Sequence, residues 1–439
     1  MPNQIKIFNK IDSFNKTIEV TSDKSLSIRA ILLASQGIGV STISNLLESD
    51  DVLNAVRSIK KLGIECKKIG NQYKILGYGL NGFNIKKNIT INAGNSGTLA
   101  RLILGLLVKS EKTVKIIGDK SLSKRDFSRV TEPLKRFGAN VISNNNSLPV
   151  KILGSNFLRP INYFERKGSA QCKSAVMLAA LNTPGTTIIK AKKSRNHTEI
   201  LFKYLKLPIN IKSGKKYDLI EIKGLNQFSA FNYIVPGDIS SSAFFIVLTA
   251  LSNNSELTIK NVNINPSRLG IVTILKKMGI SIALLNKKIY RGEEIADIKI
   301  KSSRSIKPIN CPSNLNTSAI DEFLLIFLVA AKANGISYFR GLAELNKKES
   351  PRLYWGSKIL NKMGVKNITT KNSIKIFGNP NLNIDKKIII KNYLKDHRVF
   401  MTSVIAALSF GGIWKIHDSQ AMKTSFPDFL KILKKLKKK

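Results

Sequence analysis

The chain has 439 residues, more than one ordinary hydrophobic core organises, so its length favours two domains. Its apolar fraction of 43% is ordinary for a globular protein. The longest apolar stretch, 323–331, is about half of the roughly 20 residues that a membrane-spanning helix needs. Three cysteines without CxxC pairing favour reduced thiols, with neither a zinc site nor a disulfide framework. The N-terminal segment MPNQIKIFNK lacks the apolar core of a signal peptide, so we expect a cytoplasmic protein with no membrane association.

The formal net charge of +44 is the extreme feature of the composition. Clustered Lys and Arg would favour a basic nucleic-acid-binding protein, because they neutralise phosphates and release counterions. The basic residues are instead spread along the chain, apart from the tail KILKKLKKK at 431–439, and Lys occurs with abundant Ile and Asn, which suggests an AT-rich coding bias. A terminal lysine run is typical of a solvated helix end. We therefore expect no nucleic-acid partner and keep nucleic-acid binding as an alternative.

Predicted helix ends recur along the chain at steps of roughly 70 to 85 residues, which indicates an internal repeat. Amphipathic Leu/Lys helices are predicted to end at Gly63, Gly138, Gly279 and Gly364, and a fifth ends in YLKLP near Leu207. Glycine supplies the left-handed conformation that ends a helix, and a β-rich run follows each end. Six such units would fill the chain, the last one closing with the lysine-rich tail.

Each unit also contains one apolar helix with polar or charged residues at its start. In chain order these segments are KSLSIRAILLA, GNSGTLARLILGLL, GSAQCKSAVMLAAL, GDISSSAFFIVLTAL, AIDEFLLIFLVAA and DHRVFMTSVIAAL. A helix that is apolar all round is buried, so we predict two similar α/β domains, each with three repeated units and buried parallel helices. Helix starts carry free N–H groups and partial positive charge, which suits small polyanions. A six-unit binding array is the alternative, but it would repeat its surface residues.

The first three apolar helices have candidate anion-binding residues at their starts. Ser25 is predicted to cap the first helix, with Lys24 just outside it and Arg29 one turn inside; an exposed surface helix is the alternative. The turn 94–98, followed by Arg101, lets backbone N–H groups approach a phosphate or carboxylate. It is neither a P-loop nor a dinucleotide fingerprint. The third start, 169–171 with Lys173 close behind, combines hydroxyl, amide and N–H donors and is typical of a phosphate seat.

Two loops of this half carry further candidates. Arg125 follows a short predicted strand and can bind a carboxylate in the bidentate manner that lysine cannot. Ser194 and Arg195 add a hydroxyl and a guanidinium after a later strand. His197 is interpreted as a structural hydrogen-bonding residue rather than a ligand.

The second half of the chain carries the acidic candidates. Asp321 and Glu322 precede an apolar helix, where an acid is usually a cap, but a carboxylate among cations can also accept a proton from a substrate hydroxyl. The segment 348–352, KESPR, combines base, acid and guanidinium, with Ser350 predicted as a helix cap and Pro351 as the first helical residue. Arg398 opens the final apolar helix.

Ten segments in register resemble the 5-enolpyruvylshikimate-3-phosphate synthases (3-phosphoshikimate 1-carboxyvinyltransferases) over nearly the whole chain. They are KS-x-S-x-RA at 24–30, GN-x-GT at 94–98, GD-x-SLS-x-R at 118–125, SAQ-x-KSA at 169–175, HTE at 197–199, GDISS at 237–241, DE at 321–322, KES-x-R at 348–352, DHR at 396–398 and SFPDF at 425–429. The resemblance implies an inside-out α/β barrel fold whose two domains close on substrate. We place the first domain at 1–16 plus 236–439 and the second at 17–235, with the active site in the cleft between them.

The resemblance also implies a reaction and its residues. The enolpyruvyl group of phosphoenolpyruvate would move to the 5-hydroxyl of shikimate 3-phosphate by addition and elimination, a step of aromatic amino acid biosynthesis, without metal or organic cofactor. The implied catalytic residues are Asp321, Glu349 and Lys24. The implied shikimate 3-phosphate contacts are Lys24, Ser25, Arg29, Ser169, Ala170, Gln171, Ser194, Arg195, Asp321 and Lys348. The implied phosphoenolpyruvate contacts are Lys24, Asn95, Gly97, Arg125, Gln171, Arg352, Arg398 and Lys423. We expect a monomer, since one chain completes the site.

The chain departs from the family pattern at several positions. Asp126-Phe127 stands where Pro-Met is usual, and Pro351 replaces an Asp. Ala170 removes one serine hydroxyl, for which Lys173 or Arg195 could compensate. Alignment on 426–427 puts Thr424 where some relatives have a lysine, one position from Lys423. The enolpyruvyl transferase that acts on UDP-N-acetylglucosamine is the alternative enzyme, but it uses a loop cysteine that neither Cys66 nor Cys172 resembles.

Overall fold

The structure is a computed structural model in which residues 3–437 are described, and they divide into two compact units. Unit 1 contains the described residues of Met1–Thr21, Pro236–Ile289 and Glu294–Lys439. Unit 2 contains Ser22–Val235 and Tyr290–Glu293. The chain enters unit 2 five residues later than residue 17, where we placed the boundary, because strand Asn15–Ile18 pairs with Glu256–Ile259 of unit 1.

The helices and strands are numbered in chain order. The described helices are α1 (Lys24–Ala34), α2 (Asp50–Lys61), α3 (Gly97–Leu106), α4 (Ser128–Phe137), α5 (Ala170–Leu181), α6 (His197–Tyr204), α7 (Ile239–Leu251), α8 (Gly270–Lys277), α9 (Phe323–Ala331), α10 (Arg352–Met363), α11 (His397–Phe410) and α12 (Phe429–Lys437). The described strands are β1 (Gln4–Ile7), β2 (Asn15–Ile18), β3 (Ile38–Ser44), β4 (Glu65–Ile69), β5 (Gln72–Tyr78), β6 (Ile89–Asn92), β7 (Val114–Ile117), β8 (Asn140–Asn144), β9 (Ser147–Leu153), β10 (Asn162–Glu165), β11 (Thr186–Lys192), β12 (Ile209–Ser213), β13 (Tyr217–Lys223), β14 (Asn232–Ile234), β15 (Glu256–Asn263), β16 (Ile282–Tyr290), β17 (Glu293–Lys301), β18 (Ile336–Arg340), β19 (Asn367–Thr369), β20 (Ser373–Phe377), β21 (Ile384–Ile390) and β22 (Gly411–His417).

Each unit contains three small mixed sheets with a repeated strand order. In unit 2 the orders are β14-β3-β5-β4, β6-β7-β9-β8 and β10-β11-β13-β12. In all three the first strand is parallel to the second, and the remaining pairs are antiparallel. In unit 1 the orders are β16-β17-β15-β2, β18-β20-β19 and β1-β22-β21. The repeated α/β units predicted from the sequence are confirmed.

Six helices, one for each sheet, carry the cores of the two units. Every residue of α7, α9 and α11 is buried, and α1, α3 and α5 are buried along nearly their whole length. The buried-helix prediction is therefore confirmed for all six segments. In unit 2, α3 and α5 pack so closely that a Cβ on Gly105 would lie 2.1 Å from the carbonyl oxygen of Ala175. Only a glycine permits this backbone approach, so the contact fixes where the starts of these two helices lie.

The amphipathic helices end as the sequence predicts. Gly138 and Gly364 directly follow α4 and α10 in the left-handed conformation, with φ of 115° and 83°. The described part of the lysine-rich tail, 431–437, lies in α12, whose buried residues include Phe429 and Leu433. Within residues 3–437, no helix combines the length and apolar character that crossing a membrane requires.

Candidate active site

The start of α1 places a lysine next to a carboxylate of α2. Asp23 caps α1, its Oδ1 accepting from the backbone N–H of Leu26 at 2.9 Å. The prediction that Ser25 is the cap was wrong, because the preceding aspartate takes that position and Lys24 becomes the first helical residue. The Nζ of Lys24 lies 3.1 Å from Oδ2 of Asp51, whose side chain is 7% exposed. This partner of Lys24 was not predicted.

Arg29 lies deeper in the same helix and links three helices of unit 2. Its Nε donates to Oγ1 of Thr198 at 2.8 Å, and its Nη2 donates to Oγ of Ser174 at 3.1 Å. Its Nη1 donates to the carbonyl oxygen of Ser25 at 3.0 Å. Burial lowers the pKa of Arg29 to about 10, with Glu199 opposing this effect, so the guanidinium stays charged at neutral pH. The geometry gives a buried cation in a fixed orientation.

The start of α3 lies beside two guanidinium groups. Ser96 caps this helix, and a Cβ on Gly97 would lie 2.8 Å from Nη1 of Arg101 and 3.1 Å from Nη1 of Arg125. Arg125 also donates to Oδ1 of Asn95 at 3.2 Å. A helix start with two arginines beside it is an anion-binding arrangement, because N–H groups, helix dipole and cationic charge act in the same direction.

Gln171 connects the starts of α3 and α5. Its Oε1 accepts from Nη1 of Arg101 at 2.9 Å, and its Nε2 donates to Oγ1 of Thr98 at 2.9 Å. Cζ of Arg101 in turn lies 4.7 Å from the ring centre of Phe127. Phe127 stands at the position where the family pattern has a methionine. The unusual aromatic ring therefore supports the arginine that holds Gln171.

Ser169 caps α5, a role that the sequence analysis did not assign to it. The hydroxyl of Ser169 accepts from the backbone N–H of Cys172 at 3.3 Å. Behind it, Oε2 of Glu165 accepts from the backbone N–H groups of Gly168 and Ser169. Ala170 is the first helical residue. Lys173 is 1% exposed and forms an ion pair with Glu199, so it does not replace the hydroxyl that Ala170 lacks.

The loop before α6 carries the candidates Ser194 and Arg195. The Oγ of Ser194 is buried and has no hydrogen-bond partner within residues 3–437. Burial lowers the pKa of Arg29 most, and the carboxylates of Glu199 and Asp23 raise it. The positive charge of Arg195 lowers it by a smaller amount. His197 has the structural role expected of it, since its Nδ1 lies 2.6 Å from Oε1 of Glu293 and both side chains are fully buried.

In unit 1, Asp321 and Glu322 have different surroundings. Oδ1 of Asp321 lies 3.2 Å from Nζ of Lys348 and 3.2 Å from Nη1 of Arg352, and the Asp321 side chain is 15% exposed. The side chain of Glu322 is 2% exposed and accepts from the hydroxyl of Ser240. Asp321 is thus the acid that solvent and small molecules can reach, while Glu322 is a buried structural partner.

Arg352 is surrounded by three carboxylates, those of Asp321, Glu349 and Asp396. Burial alone would lower the pKa of Arg352, but these carboxylates raise it above its usual value. The hydroxyl of Ser350 donates to Oδ2 of Asp396 at 2.9 Å instead of capping α10. The predicted helix start at 350–351 was therefore wrong: Pro351 occupies the cap position and α10 begins at Arg352.

The start of α11 adds the last predicted arginine. Asp396 caps this helix through the backbone N–H of Arg398 at 2.9 Å, and Nη1 of Arg398 donates to the carbonyl oxygen of Asp321 at 2.8 Å. The C-terminal candidates differ in position. The Lys423 side chain is exposed, whereas Oγ1 of Thr424 lies 3.5 Å from Nδ1 of His397. Thr424 is the one that contacts the helix start.

The predicted residues thus form one set in each unit. Unit 2 groups hydroxyls, amides and cations at helix starts, a composition suited to phosphate and carboxylate groups. Unit 1 groups carboxylates and cations, a composition suited to moving protons next to a bound anion. The set of unit 2 comprises Lys24, Ser25, Arg29, Asn95, Gly97, Arg125, Ser169, Ala170, Gln171, Ser194 and Arg195, and the set of unit 1 comprises Asp321, Lys348, Glu349, Arg352 and Arg398.

Comparison with known proteins identifies the family. The family model described as EPSP synthase (3-phosphoshikimate 1-carboxyvinyltransferase) matches residues 8–433. The chain belongs to the EPSP synthase family. The resemblance inferred from the ten motifs is therefore confirmed.

Relatives of the EPSP synthase family match nearly the whole length of the chain. The 3-phosphoshikimate 1-carboxyvinyltransferase of Ruthia magnifica subsp. Calyptogena magnifica is 39% identical over 423 residues, covering 96% of this chain and 95% of the relative. The solved structure of EPSP synthase from Acinetobacter baumannii has a TM-score of 0.86 and 32% identity, covering 99% of this chain and 98% of that chain. The enolpyruvyl transferase NikO from Streptomyces tendae, at 13% identity, covers 99% of this chain and 97% of that chain with a TM-score of 0.76. NikO shows the shared fold alone, and the predicted α/β fold class is confirmed.

Several residues that position the candidates were missed by sequence reasoning. Asp396 was visible in the DHR motif, where an aspartate before an apolar helix is a standard cap. Thr198 was visible in the HTE motif at the start of α6. Asp50 and Asp51 both lie in the first turn of α2, and nothing in the sequence indicated that Asp51 is the one that pairs with Lys24. Glu293 lies 96 positions from His197, and no local pattern could pair them.

Proposed function

We propose that this protein transfers the enolpyruvyl group of phosphoenolpyruvate to the 5-hydroxyl of shikimate 3-phosphate and releases phosphate. The main support for this proposal is the position of Asp321. Its Oδ1 lies 3.2 Å from Nζ of Lys348 and 3.2 Å from Nη1 of Arg352, and its side chain is still partly exposed. Two cations at this distance favour the ionised carboxylate, which can accept the proton of a hydroxyl. Family membership and the anion-binding helix starts of unit 2 support the same reaction.

The phosphate of shikimate 3-phosphate is proposed to bind in unit 2. Arg29 supplies a fixed, charged guanidinium, and the start of α5 supplies the hydroxyl of Ser169 and the amide of Gln171. Phosphate favours such a helix start because of its free N–H groups. The further proposed contacts of the shikimate 3-phosphate molecule as a whole are Lys24, Ser25, Ala170, Ser194, Arg195, Asp321 and Lys348. Arg195 is our candidate to compensate for the hydroxyl that Ala170 lacks.

Phosphoenolpyruvate is proposed to use the arginines beside helix starts. Arg125 lies at the start of α3, and Arg352 and Arg398 lie at the starts of α10 and α11. Guanidinium groups bind carboxylate and phosphate in a bidentate manner, which fixes the orientation of the reacting carbon. The further proposed contacts are Lys24, Asn95, Gly97 and Gln171, with Thr424 replacing Lys423 at the C-terminal position.

The proposed chemistry is addition followed by elimination. The 5-hydroxyl attacks C2 of phosphoenolpyruvate while Asp321 accepts its proton, and the methylene carbon gains a proton, which produces a tetrahedral intermediate. A proton then leaves the former methylene carbon, the double bond re-forms, and phosphate departs with C–O cleavage. We assign proton transfer at that carbon to Glu349 and Lys24. The cations stabilise the negative charge of both substrates throughout.

Partners and location follow from the same proposal. The reaction needs two small-molecule substrates and calls for neither metal nor organic cofactor, since acid–base groups and cations supply its chemistry. We propose a monomer, because both residue sets lie in one chain. Cys66, Cys172 and Cys311 are buried free thiols, which supports a reducing, cytoplasmic location.

Phosphate release by the purified protein tests the proposal. We expect phosphate only when shikimate 3-phosphate and phosphoenolpyruvate are both present, and severe loss of turnover in Lys24→Met with the circular dichroism spectrum retained. Glu48→Gln is the matched control, because Glu48 pairs with Lys68 at the surface of unit 2. A folded protein that releases no phosphate from the two substrates together refutes the proposal. Release with UDP-N-acetylglucosamine, or salt-sensitive nucleic-acid binding without turnover, would support the alternatives.

A further inference from the structure

Residues 290–293 are a short excursion of the chain into unit 2, while the residues before and after them belong to unit 1. Three residues of this turn form hydrogen bonds within unit 2. The hydroxyl of Tyr290 accepts from the backbone N–H of Ile234 at 2.9 Å, and Nη1 of Arg291 donates to the hydroxyl of Tyr204. The third contact joins Oε1 of Glu293 to Nδ1 of His197 at 2.6 Å. Glu293 therefore has a defined place against the first residue of α6.

The pair formed by Glu293 and His197 is buried and specific. Neither side chain is exposed. The other ring nitrogen of His197, Nε2, is buried and has no hydrogen-bond partner among the described residues. Within residues 3–437, the carboxylate of Glu293 is therefore what fixes the orientation of the imidazole ring. A buried carboxylate and imidazole at this distance form a strong, directional contact.

The residue after His197 is the one that orients Arg29. The hydroxyl of Thr198 accepts from Nε of Arg29 at 2.8 Å and shares a hydrogen bond with the hydroxyl of Ser174 at 2.7 Å. Ser174 in turn accepts from Nη2 of Arg29 at 3.1 Å. A shift of the α6 start would move the Thr198 hydroxyl and release one side of the guanidinium. The orientation of Arg29 therefore depends on what holds α6 at its first residue.

We propose that Glu293 is a positioning residue for Arg29: it fixes His197, which holds Thr198 in place against the guanidinium, and so sets the affinity for the phosphorylated substrate. Glu293 touches no reacting atom in this scheme. The inference rests on the proposed function, because it takes Arg29 as a contact of shikimate 3-phosphate. It adds a residue 96 positions from His197 to the machinery of that site.

Calorimetric titration with shikimate 3-phosphate alone tests the inference. Glu293→Gln keeps the size of the side chain but removes its charge, and Thr198→Val removes only the hydroxyl that Arg29 contacts. Each is expected to raise the dissociation constant about tenfold, as the loss of one hydrogen bond to a charged group would. The Glu293→Gln/Thr198→Val double variant is expected to lose no more than the larger single effect, because both changes break one chain of contacts.

Steady-state kinetics separates positioning from general loss of structure. In Glu293→Gln we expect KM for shikimate 3-phosphate to rise, while kcat and KM for phosphoenolpyruvate stay within about twofold of wild type. Thr198→Ser, which keeps the hydroxyl, should restore most of the affinity that Thr198→Val loses. In the wild type, the carboxylate of Glu48 contacts Lys68 and Tyr73 and not Arg29. Glu48→Gln should therefore have the wild-type dissociation constant, kcat and KM values.

Three outcomes would overturn the inference. The first is that Glu293→Gln binds shikimate 3-phosphate with wild-type affinity. The second is that the effects of Glu293→Gln and Thr198→Val on the dissociation constant multiply to about a hundredfold in the double variant. The third is that Glu293→Gln lowers kcat and raises both KM values by the same factor. If Glu293→Gln does not fold, Glu293→Asp takes its place with the same expected tenfold loss, because its shorter side chain no longer reaches His197. A wild-type protein without turnover would refute the proposed function itself, whereas an active wild type with unaffected variants refutes only this inference.

Discussion

Arg352 and Asp396 form a buried ion pair with two hydrogen bonds in the interior of unit 1. Nε of Arg352 lies 2.9 Å from Oδ2 of Asp396, and Nη2 lies 3.3 Å from Oδ1. The same carboxylate caps α11 through the backbone N–H of Arg398 and accepts from the hydroxyl of Ser350. One buried aspartate thus positions two of the arginines that we assign to phosphoenolpyruvate.

Asp396→Asn is expected to weaken phosphoenolpyruvate binding and the stability of unit 1 together. The amide cannot accept both guanidinium hydrogen bonds, and a buried cation left partly unpaired costs about 3 kcal/mol of the free energy of unfolding. We expect KM for phosphoenolpyruvate to rise about tenfold or more. Chemical denaturation and steady-state kinetics measure the two effects. Glu344→Gln, at an exposed pair with Lys347, is the control and should change neither. An unchanged KM would show that Asp396 does not position these arginines.

The same pair predicts how stability depends on pH. Burial is the largest single effect and raises the pKa of Asp396, but the charge and hydrogen bonding of Arg352, together with the charge of His397, outweigh it and hold the pKa below the ordinary value of 3.8. The unfolded chain therefore binds the proton more readily than the folded one, so stability rises with pH across this interval. The contribution of Asp396 is complete above pH 3.8 and is lost as the pH falls below it. Thermal unfolding of wild type should show this acid loss, and Asp396→Asn should show less of it.

Asp321→Asn is expected to remove the proposed proton acceptor while leaving the fold intact. The side chain is at the edge of its cluster and 15% exposed, so the isosteric amide still fits beside Lys348 and Arg352. General-base catalysis contributes about 10² to 10⁴ in rate, and we expect kcat to fall by that factor. Rapid-quench measurement of phosphate release gives the rate of the chemical step. A fall of less than about threefold would assign the proton to another group.

Gly97→Ala is expected to act on phosphoenolpyruvate and not on shikimate 3-phosphate. The added Cβ would lie 2.8 Å from Nη1 of Arg101 and 3.1 Å from Nη1 of Arg125, so both guanidinium groups must move. Arg101 cannot move freely, because Gln171 and Phe127 hold it. We expect KM for phosphoenolpyruvate to rise about tenfold. The dissociation constant of shikimate 3-phosphate, measured by calorimetry, should stay unchanged and serves as the internal control. A rise in both constants would place Gly97 at a shared position.

The fold was predictable because its signals are local and repeated. Six apolar helices and glycine-ended amphipathic helices can be seen within windows of about a dozen residues. Helix starts were less predictable, because neighbouring residues compete for the cap. Asp23 takes the position that Ser25 could have filled, and the hydroxyl of Ser350 bonds Asp396 instead of its own helix.

The individual site residues were visible, but which residues pair with them was not. Motifs gave Lys24, Arg29 and Arg352, since each lies in a short segment with a family pattern. The groups that orient them, such as Asp51 and Glu293, come from other helices and turns. Such pairs follow from tertiary packing, in which a buried charge must meet a partner wherever the chain brings one.

Gly105→Ala should test whether close packing of α3 against α5 is what holds the helix starts of unit 2 in place. The added Cβ would lie 2.1 Å from the carbonyl oxygen of Ala175, a backbone atom, so the two helices would have to separate. Overpacking of this kind costs about 1 to 3 kcal/mol in the free energy of unfolding, measurable by urea denaturation. Separation would also pull Gln171 on α5 away from Thr98 on α3 and weaken both substrates' binding. Leu106→Met, a volume-conserving change at the next residue, is the matched control and should cost less than about 1.5 kcal/mol. A stable Gly105→Ala variant with normal kinetics would show that the helix starts tolerate a shift between α3 and α5.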